Sequence, residues 1–218
     1  MDNVKLRFNE LKDIIKTKIQ TIDQKYRFGP SLYYYQKVIE HRRIANNIND
    51  FLINEKNIEY LYGALLAWDM NSRGAKMKYF TDFKNSIVKN KMYFFEIENH
   101  NTNILNIELG FILNIIKVLY QNLDIMYTKA RLVSTSKLLH FMFPDLMMPM
   151  DRRNTLKYFF GNETESLKRF LEIFEFSYYF SKENIQWDDI IGKTNWNTTI
   201  PKIIDNAIIL KINKSTKK

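Results

Sequence analysis

The scarcity of turn-forming residues constrains the fold of this chain more than any other feature. Its 218 residues include only 6 glycines and 4 prolines. A sandwich or barrel of many short strands needs more turn residues than this, whereas helices joined by Asn, Asp or Ser turns need fewer. With 45% hydrophobic residues, the chain has enough apolar side chains to bury a sizeable core. We therefore expect a packed protein made mainly of helices.

Apolar residues recur at intervals of three or four along most of the chain, which is the spacing of a buried helical face. In the first predicted helix, within residues 3–27, they are Val4, Phe8, Leu11, Ile15, Ile19 and Ile22. Gly29 and Pro30 end this helix, and Ser31 is placed to cap the next one. Further helices are predicted over residues 31–52, 58–68, 75–90, 104–122, 164–180 and 199–212, with two more between residues 132 and 161.

One segment, MYFFEIEN at residues 92–99, has the composition of a strand, although a single strand would have nothing to pair with. The helix over residues 104–122 is apolar on nearly all sides, and we expect it to be central. No internal repeat or linker divides the chain. We therefore predict a single all-α domain over residues 1–218, as one globular body or two helical lobes, with a basic tail at residues 211–218.

Several kinds of site are excluded by composition or spacing. The chain has no cysteine, which rules out disulfides, thiolate zinc sites, iron–sulfur clusters and a cysteine nucleophile. His41, His100 and His140 lie in separate segments without carboxylates at ligand spacing, so neither a metal nor another cofactor is expected. The acidic N-terminal segment and the interruption of LGFILNIIKVLY by Asn114 and Lys117 predict no signal peptide and no membrane span. These features suit a cytoplasmic protein.

The formal net charge of +9 allows two interpretations. A polyanion such as DNA is one expected partner, because each Lys or Arg that neutralises a phosphate releases a counterion. The other interpretation is that a chain rich in Asn, Ile and Lys reflects a biased codon pool and solvates its surface with lysine. The lysines are scattered until the end of the chain, which leaves both interpretations open.

The segment SKLLHFMFP, residues 136–144, contains the first candidate for chemistry. Leu138, Leu139, Met142 and Phe143 form the apolar face, and Lys137 falls on another side with Ser136 and His140. Near the start of a helix and among apolar neighbours, the ammonium of Lys137 is disfavoured, as an amine nucleophile requires. The alternative is a lysine whose stem lies along the edge of the core while its ammonium reaches water.

The segment DLMMPMDRRNTLKYFFG, residues 145–161, contains the second candidate. Pro149 favours an extended chain, Asp151 stands where a helix begins, and Gly161 is placed to end it. An N-cap carboxylate stays ionised, so capping and a catalytic anion are compatible roles for Asp151. Arg152 and Arg153 lie in the first turn, where cations are unfavourable, and we expect them to face a carboxylate elsewhere or a phosphate.

A lysine on a helix, an apolar stretch and then Pro-x-Asp opening another helix resembles the helix-hairpin-helix DNA glycosylase superfamily over residues 58–162. The resemblance implies that Lys137 forms a Schiff base with the sugar and that Asp151 assists it, as in a base-excision glycosylase and AP lyase of DNA repair. It also implies a hairpin turn at residues 133–136 that grips phosphates, and a DNA-facing turn around residues 71–73. The nucleic-acid contacts predicted in this way are Asn71, Arg73, Lys76, Ser134, Ser136, His140, Arg152 and Arg153.

The chain departs from the family pattern in two places. The hairpin of the family carries Gly-x-Gly before the lysine, and the turn at residues 133–136 has no glycine. The separation of Lys137 and Asp151 is about one helical turn shorter than usual in the family. The same segment also resembles a motif of uncharacterised microbial proteins. A non-catalytic helical protein that binds nucleic acid or a protein partner is therefore the second hypothesis.

Overall fold

The computed structural model describes residues 2–25, 29–71, 76–129 and 131–215. Over these residues the chain forms α-helices and no strand, and its buried apolar side chains make one connected core. The first six helices are α1 (Asp2–Thr17), α2 (Ile22–Lys25), α3 (Pro30–Ile44), α4 (Ile48–Ile53), α5 (Glu55–Ala67) and α6 (Phe80–Lys89). The other six are α7 (Lys91–His100), α8 (Leu109–Asn122), α9 (Leu132–Met142), α10 (Lys157–Phe160), α11 (Leu167–Ser181) and α12 (Ile200–Ser215).

Shorter elements complete the connections between these helices. Two 3₁₀ turns cover Ile19–Thr21 and Trp187–Asp189, and a π-helical turn, Arg152–Leu156, leads into α10. An isolated antiparallel bridge joins Met77 to Met126. None of the described helices is both long and apolar enough to span a bilayer. The all-α prediction is confirmed.

The strand-like segment at residues 92–99 is helical, so that expectation is wrong. Phe94 and Ile97 are buried, and they share a face because they lie three residues apart on α7. That face packs against α4 and α8. The aromatic residues of this segment therefore serve helix packing, which outweighs their preference for strands.

Several predicted helices differ in their ends. The segment 31–52 divides into α3 and α4, because Asn47 is extended and its side chain accepts a hydrogen bond from the backbone N–H of Asp50 at 2.9 Å. The predicted helix at 75–90 begins only at Phe80, after an extended stretch that carries the bridge to Met126. The predicted helix at 104–122 begins at Leu109. Local capping and backbone pairing set these boundaries, and periodicity does not reveal them.

The most buried helix is α9, and the prediction that residues 104–122 would be central is wrong. Nine of the 11 residues of α9 are buried, whereas α8 buries only the face that carries Ile112, Ile115, Ile116 and Leu119. α9 packs against α3, α5, α8 and α11, which together surround it. A charged residue on α9 is therefore held inside the protein and not on its outer surface.

Helices α3 and α5 approach each other closely at Gly63. A Cβ atom at this position would stand 2.9 Å from Cε1 of Tyr34 on α3, which is closer than real contacts allow. Because Gly63 has no side chain, α3 and α5 can pack closely at this point.

Gly63→Val is expected to lower the free energy of unfolding by about 1–3 kcal/mol, because the added methyl groups press on Tyr34. Urea denaturation followed by circular dichroism measures the change. Leu66→Val on the same helix is the matched control, since Leu66 is exposed and the replacement introduces the same β-branched residue without a clash. Equal stabilities of the two variants would contradict the close approach.

Candidate active site

A cavity of about 190 Å³ opens where the end of α5, the middle of α9, the segment before the π-helical turn and the start of α12 meet. Both residues singled out for chemistry, Lys137 and Asp151, line it. The other lining residues are Ser31, Ala67, Trp68, Asp69, Pro149, Met150, Trp196, Lys202, Asp205 and Ile209. Residues far apart in the sequence therefore share one concave, partly charged space, which is the usual form of a site for chemistry.

Lys137 is the sixth residue of α9, so the expectation that it lies near the start of a helix is wrong. Its ammonium donates a hydrogen bond of 2.6 Å to the carbonyl oxygen of Trp68 and lies 5.9 Å from the centre of the Trp68 ring. Among the described residues, no carboxylate lies within ion-pair distance of Lys137.

The surroundings of Lys137 favour its neutral amine. Burial lowers the pKa of Lys137, and the charge of Lys202 acts in the same direction. The carboxylates of Asp151, Asp205 and Asp69 oppose this effect without overcoming it. A larger share of Lys137 than of an ordinary surface lysine is therefore deprotonated at neutral pH, which is the form that attacks carbon.

Asp151 caps the π-helical turn and is held firmly. Its backbone is extended, and its Oδ1 accepts a hydrogen bond of 2.5 Å from the backbone N–H of Asn154. Its Oδ2 accepts a second bond, of 2.7 Å, from the side-chain amide of the same residue. The predicted N-cap role of Asp151 is confirmed, although the helix that it opens begins as a π turn, an irregularity that is frequent at functional sites. Gly161, with φ of 69°, ends α10 as expected.

A hydrogen bond between neighbours of the two residues brings Lys137 and Asp151 to the same cavity. The hydroxyl of Ser136 accepts a bond of 3.1 Å from the backbone N–H of Met150. Ser136 directly precedes Lys137, and Met150 directly precedes Asp151. One turn further along α9, Nδ1 of His140 bonds to the carbonyl oxygen of Met147 at 2.7 Å. These two contacts hold the segment from Met147 to Met150 against α9.

His140 is neutral in this setting. Burial lowers its pKa to about 3, with a further contribution from the charge of Lys202. Because the carbonyl of Met147 can only accept, Nδ1 carries the proton and Nε2 accepts from the hydroxyl of Tyr35 at 3.3 Å. His140 is thus a structural residue of the core and not a contact for nucleic acid.

The wall of the cavity also contains an ion pair that the sequence patterns did not predict. Lys202 and Asp205 lie three residues apart on α12, and their charged atoms are 2.6 Å apart with side chains only 5% and 6% exposed. The Lys202 ammonium also lies 5.1 Å from the ring centre of Trp68 and 5.3 Å from that of Trp196. A lysine and an aspartate among the apolar residues of the first half of α12 were the available signal.

The predicted hairpin turn at residues 133–136 is not formed, because these residues belong to the first half of α9. Ser134 and Ser136 are buried, with 2% and 0% exposure, and their hydroxyls donate to the carbonyls of Arg131 and Val133. The prediction that these serines contact phosphates through a turn is therefore wrong. Ser31 does not cap α3 either; its hydroxyl donates to the carbonyl of Ala67 at 2.9 Å.

The other predicted nucleic-acid contacts for which the structure shows an interaction each have a different partner in the protein. Arg152 donates a hydrogen bond of 2.5 Å to a carboxylate oxygen of Glu165. Its partner is therefore a carboxylate of the same chain, which is one of the two partners expected from the sequence. Arg153 is exposed. Lys76 lies 5.4 Å from the ring centre of Tyr127, and the Asn71 side chain accepts a hydrogen bond from the N–H of Met77 at 3.2 Å. Arg73 lies outside the described residues.

Neither the similarity to known proteins nor the arrangement of metal-ligating side chains in the described residues assigns a function to this chain. No protein-family model, curated protein or solved structure matches this chain. Within the described residues, no group of three or more His, Cys, Asp or Glu side chains is arranged to hold a metal ion. The resemblance to the helix-hairpin-helix glycosylases therefore stays a prediction, and the cavity is the observation on which a function can be built.

Neutralising either member of the buried pair is expected to destabilise the protein far more than neutralising both. Lys202→Met and Asp205→Asn each leave one buried charge without its partner, which costs about 3–5 kcal/mol. The double variant K202M/D205N leaves no unpaired charge and should cost clearly less than either single replacement. Urea denaturation of the four proteins measures the coupling.

The exposed pair Lys168–Glu172 on α11, with charged atoms 3.8 Å apart, is the matched control, because solvent screens it and its coupling should be close to zero. Additive losses for Lys202 and Asp205 would show that the two charges do not depend on each other.

Proposed function

We propose that this chain is a DNA-interacting enzyme that uses Lys137 as an amine nucleophile, in the manner of a base-excision glycosylase with AP lyase activity. The observation that carries the proposal is the shared cavity, which a lysine of lowered pKa and a fixed aspartate line together. Neither side chain is tied up in an ion pair with another described residue. A purely structural lysine would be expected to reach water or a carboxylate instead.

The reaction makes use of both residues. The neutral amine of Lys137 attacks C1′ of a deoxyribose, the bond from C1′ to the base breaks, and the electron pair of that bond leaves with the base. Loss of a proton from nitrogen and opening of the sugar ring then give an imine between Lys137 and C1′. The fixed negative charge of Asp151 stabilises the positive charge that develops on the sugar.

The size and lining of the cavity suit a single ring. At about 190 Å³ the cavity is smaller than the ~300–1,000 Å³ of common ligand pockets. The indoles of Trp68 and Trp196 line it with ring centres 6.2 Å apart, and aromatic faces of this kind stack on a base or pack against a sugar. A duplex would have to release the target nucleotide from its stack for it to reach Lys137.

Borohydride trapping on DNA with an abasic site or 8-oxoguanine tests the proposal. The wild-type chain is expected to form a covalent complex, because borohydride reduces the imine to a stable amine. Lys137→Ala should abolish the complex, and Lys157→Ala should leave it unchanged, since Lys157 is an exposed lysine in α10. The absence of a complex with the wild type, or a complex that survives Lys137→Ala, removes the lyase proposal.

A second candidate function is binding of nucleic acid without catalysis, and an exposed aromatic surface favours it. Tyr79 and Tyr127 are 69% and 48% exposed, and their ring centres are 6.1 Å apart. Backbone hydrogen bonds join the two segments that carry them, from Lys78 to Ile125 and from Tyr127 to Lys76. Lys76 lies over the ring of Tyr127, so positive charge and stacking surface occur together, as in proteins that bind single strands.

Replacing both tyrosines by alanine is expected to weaken binding of a fluorescent single-stranded oligonucleotide by roughly 10-fold or more, since each stacked base contributes about 1–3 kcal/mol. Fluorescence anisotropy at several salt concentrations measures the affinity and its salt slope. Tyr33→Ala/Tyr179→Ala is the matched control, because these tyrosines are 53% and 51% exposed and belong to α3 and α11. Equal losses in both double variants, or binding that does not depend on salt, would count against this surface.

A further inference from the structure

The buried pair of Lys202 and Asp205 has no evident structural purpose. Replacing a buried ion pair by apolar residues of similar volume is often neutral or stabilising, because two charges must be removed from water. The buried residues around the pair on α12 are mainly apolar, including Ile203, Ile204 and Ile208, and the buried Asn206 donates its hydrogen bonds to Trp196 and Asn197 and not to the pair. Both charged side chains nevertheless line the cavity that contains Lys137. Their position suggests a role in the chemistry of the site.

The two aspartates of the cavity differ in how many of their oxygens are engaged. Both carboxylate oxygens of Asp151 accept hydrogen bonds from Asn154, so a proton on either one would cost a capping bond. Asp205 uses Oδ2 for the ammonium of Lys202. The hydrogen bonds of the described residues include none to Oδ1 of Asp205. Asp205 is therefore the carboxylate with an oxygen left to exchange a proton.

We propose that Asp205, held in place by Lys202, carries protons to and from the amine of Lys137, while Asp151 remains a fixed anion. The proposal rests on the proposed role of Lys137 as an amine nucleophile. It assigns Lys202 as a positioning residue, since its ammonium is fixed by the Asp205 carboxylate and the two indole rings and is not the group that attacks.

The proton balance of imine formation shows what Asp205 would do. When nitrogen of Lys137 adds to a carbonyl carbon, a C–N bond forms and the C=O electron pair moves to oxygen. The Asp205 carboxyl gives its proton to that oxygen and then takes one proton from nitrogen, which leaves a neutral carbinolamine. Asp205 next protonates the hydroxyl, which leaves as water while the nitrogen lone pair completes the C=N bond, and Asp205 then takes the second proton of nitrogen. A carboxyl group performs these transfers best when its pKa lies close to the working pH.

The charges around Asp205 agree with this role. Burial raises the pKa of Asp205, the neighbouring charge of Asp151 acts in the same direction, and the cations Lys202 and Lys137 oppose them. Because the pKa is raised, the protonated carboxyl of Asp205 persists to higher pH than that of a surface aspartate, and the lowered pKa of Lys137 brings the two titrations closer together.

The test measures imine formation at Lys137 with a small aldehyde, so that it does not depend on DNA. The full chain is incubated with acetaldehyde and cyanoborohydride over a series of pH values, and peptide mass spectrometry gives the rate of alkylation at each lysine. We expect Lys137 to react faster than the exposed Lys157, which serves as an internal reference. The double variant K202M/D205N should slow alkylation of Lys137 on the order of 10²-fold and flatten its pH dependence.

The choice of variants separates the proton carrier from structural effects. K202M/D205N removes one charge of each sign and leaves no unpaired ion, so it keeps the fold and nearly preserves the net charge around Lys137. Asp151→Asn retains a capping side chain and removes a charge that raises the pKa of both Lys137 and Asp205, so it should shift the pH dependence to lower pH without flattening it. The rate at Lys157 should be the same in all variants.

Three outcomes overturn the proposal: an unchanged rate in K202M/D205N, alkylation at Lys202 in place of Lys137, or a wild-type Lys137 that reacts no faster than Lys157. Failure of the DNA enzyme alone has a different signature. In that case the aldehyde reaction depends on Asp205 as described, and no borohydride complex forms with abasic or 8-oxoguanine DNA.

Discussion

The candidate site depends on the hydrogen bond from the backbone N–H of Met150 to the hydroxyl of Ser136. It joins the residue before Asp151 to the residue before Lys137, and the contact between His140 and Met147 supports it one turn away. All four of these residues are buried, so water does not compete with the two bonds. A rigid attachment of this kind is what a pair of reacting side chains needs, because chemistry tolerates little error in position.

The helical fold could be predicted from the sequence, since few turn residues and a spacing of three or four decide it. The centre of the fold could not, because α8 is the more continuously apolar helix whereas α9 is the more buried one. Ser134, Ser136 and His140 gave α9 a polar appearance, yet each is buried with its hydrogen bonds made inside the protein. A polar residue satisfied by a distant backbone group cannot be distinguished in sequence from one that faces solvent.

The contribution of α12 and the two tryptophans to the site was equally hard to predict from the sequence. Lys137 and Asp151 lie 14 positions apart in the numbering and on one recognisable segment. Lys202 and Asp205 reach the same cavity only because α12 packs against the π-helical turn, a contact between remote parts of the chain. Trp68 directly follows α5 and Trp196 lies in the loop before α12, and both line the same cavity. Local patterns thus identified Lys137 and Asp151, but they could not show that Lys202 and Asp205 line the same cavity.

The lining of the cavity extends from Ser31 to Ile209 and so draws on nearly the whole described chain. Contacts between such distant positions are slow to form, because closing long loops costs entropy before the contact is made. A partly folded intermediate with several helices in place would still lack the cavity. During refolding, enclosure of Lys137 in the cavity would therefore follow the packing of these distant segments, whereas helical content measured by circular dichroism would rise earlier.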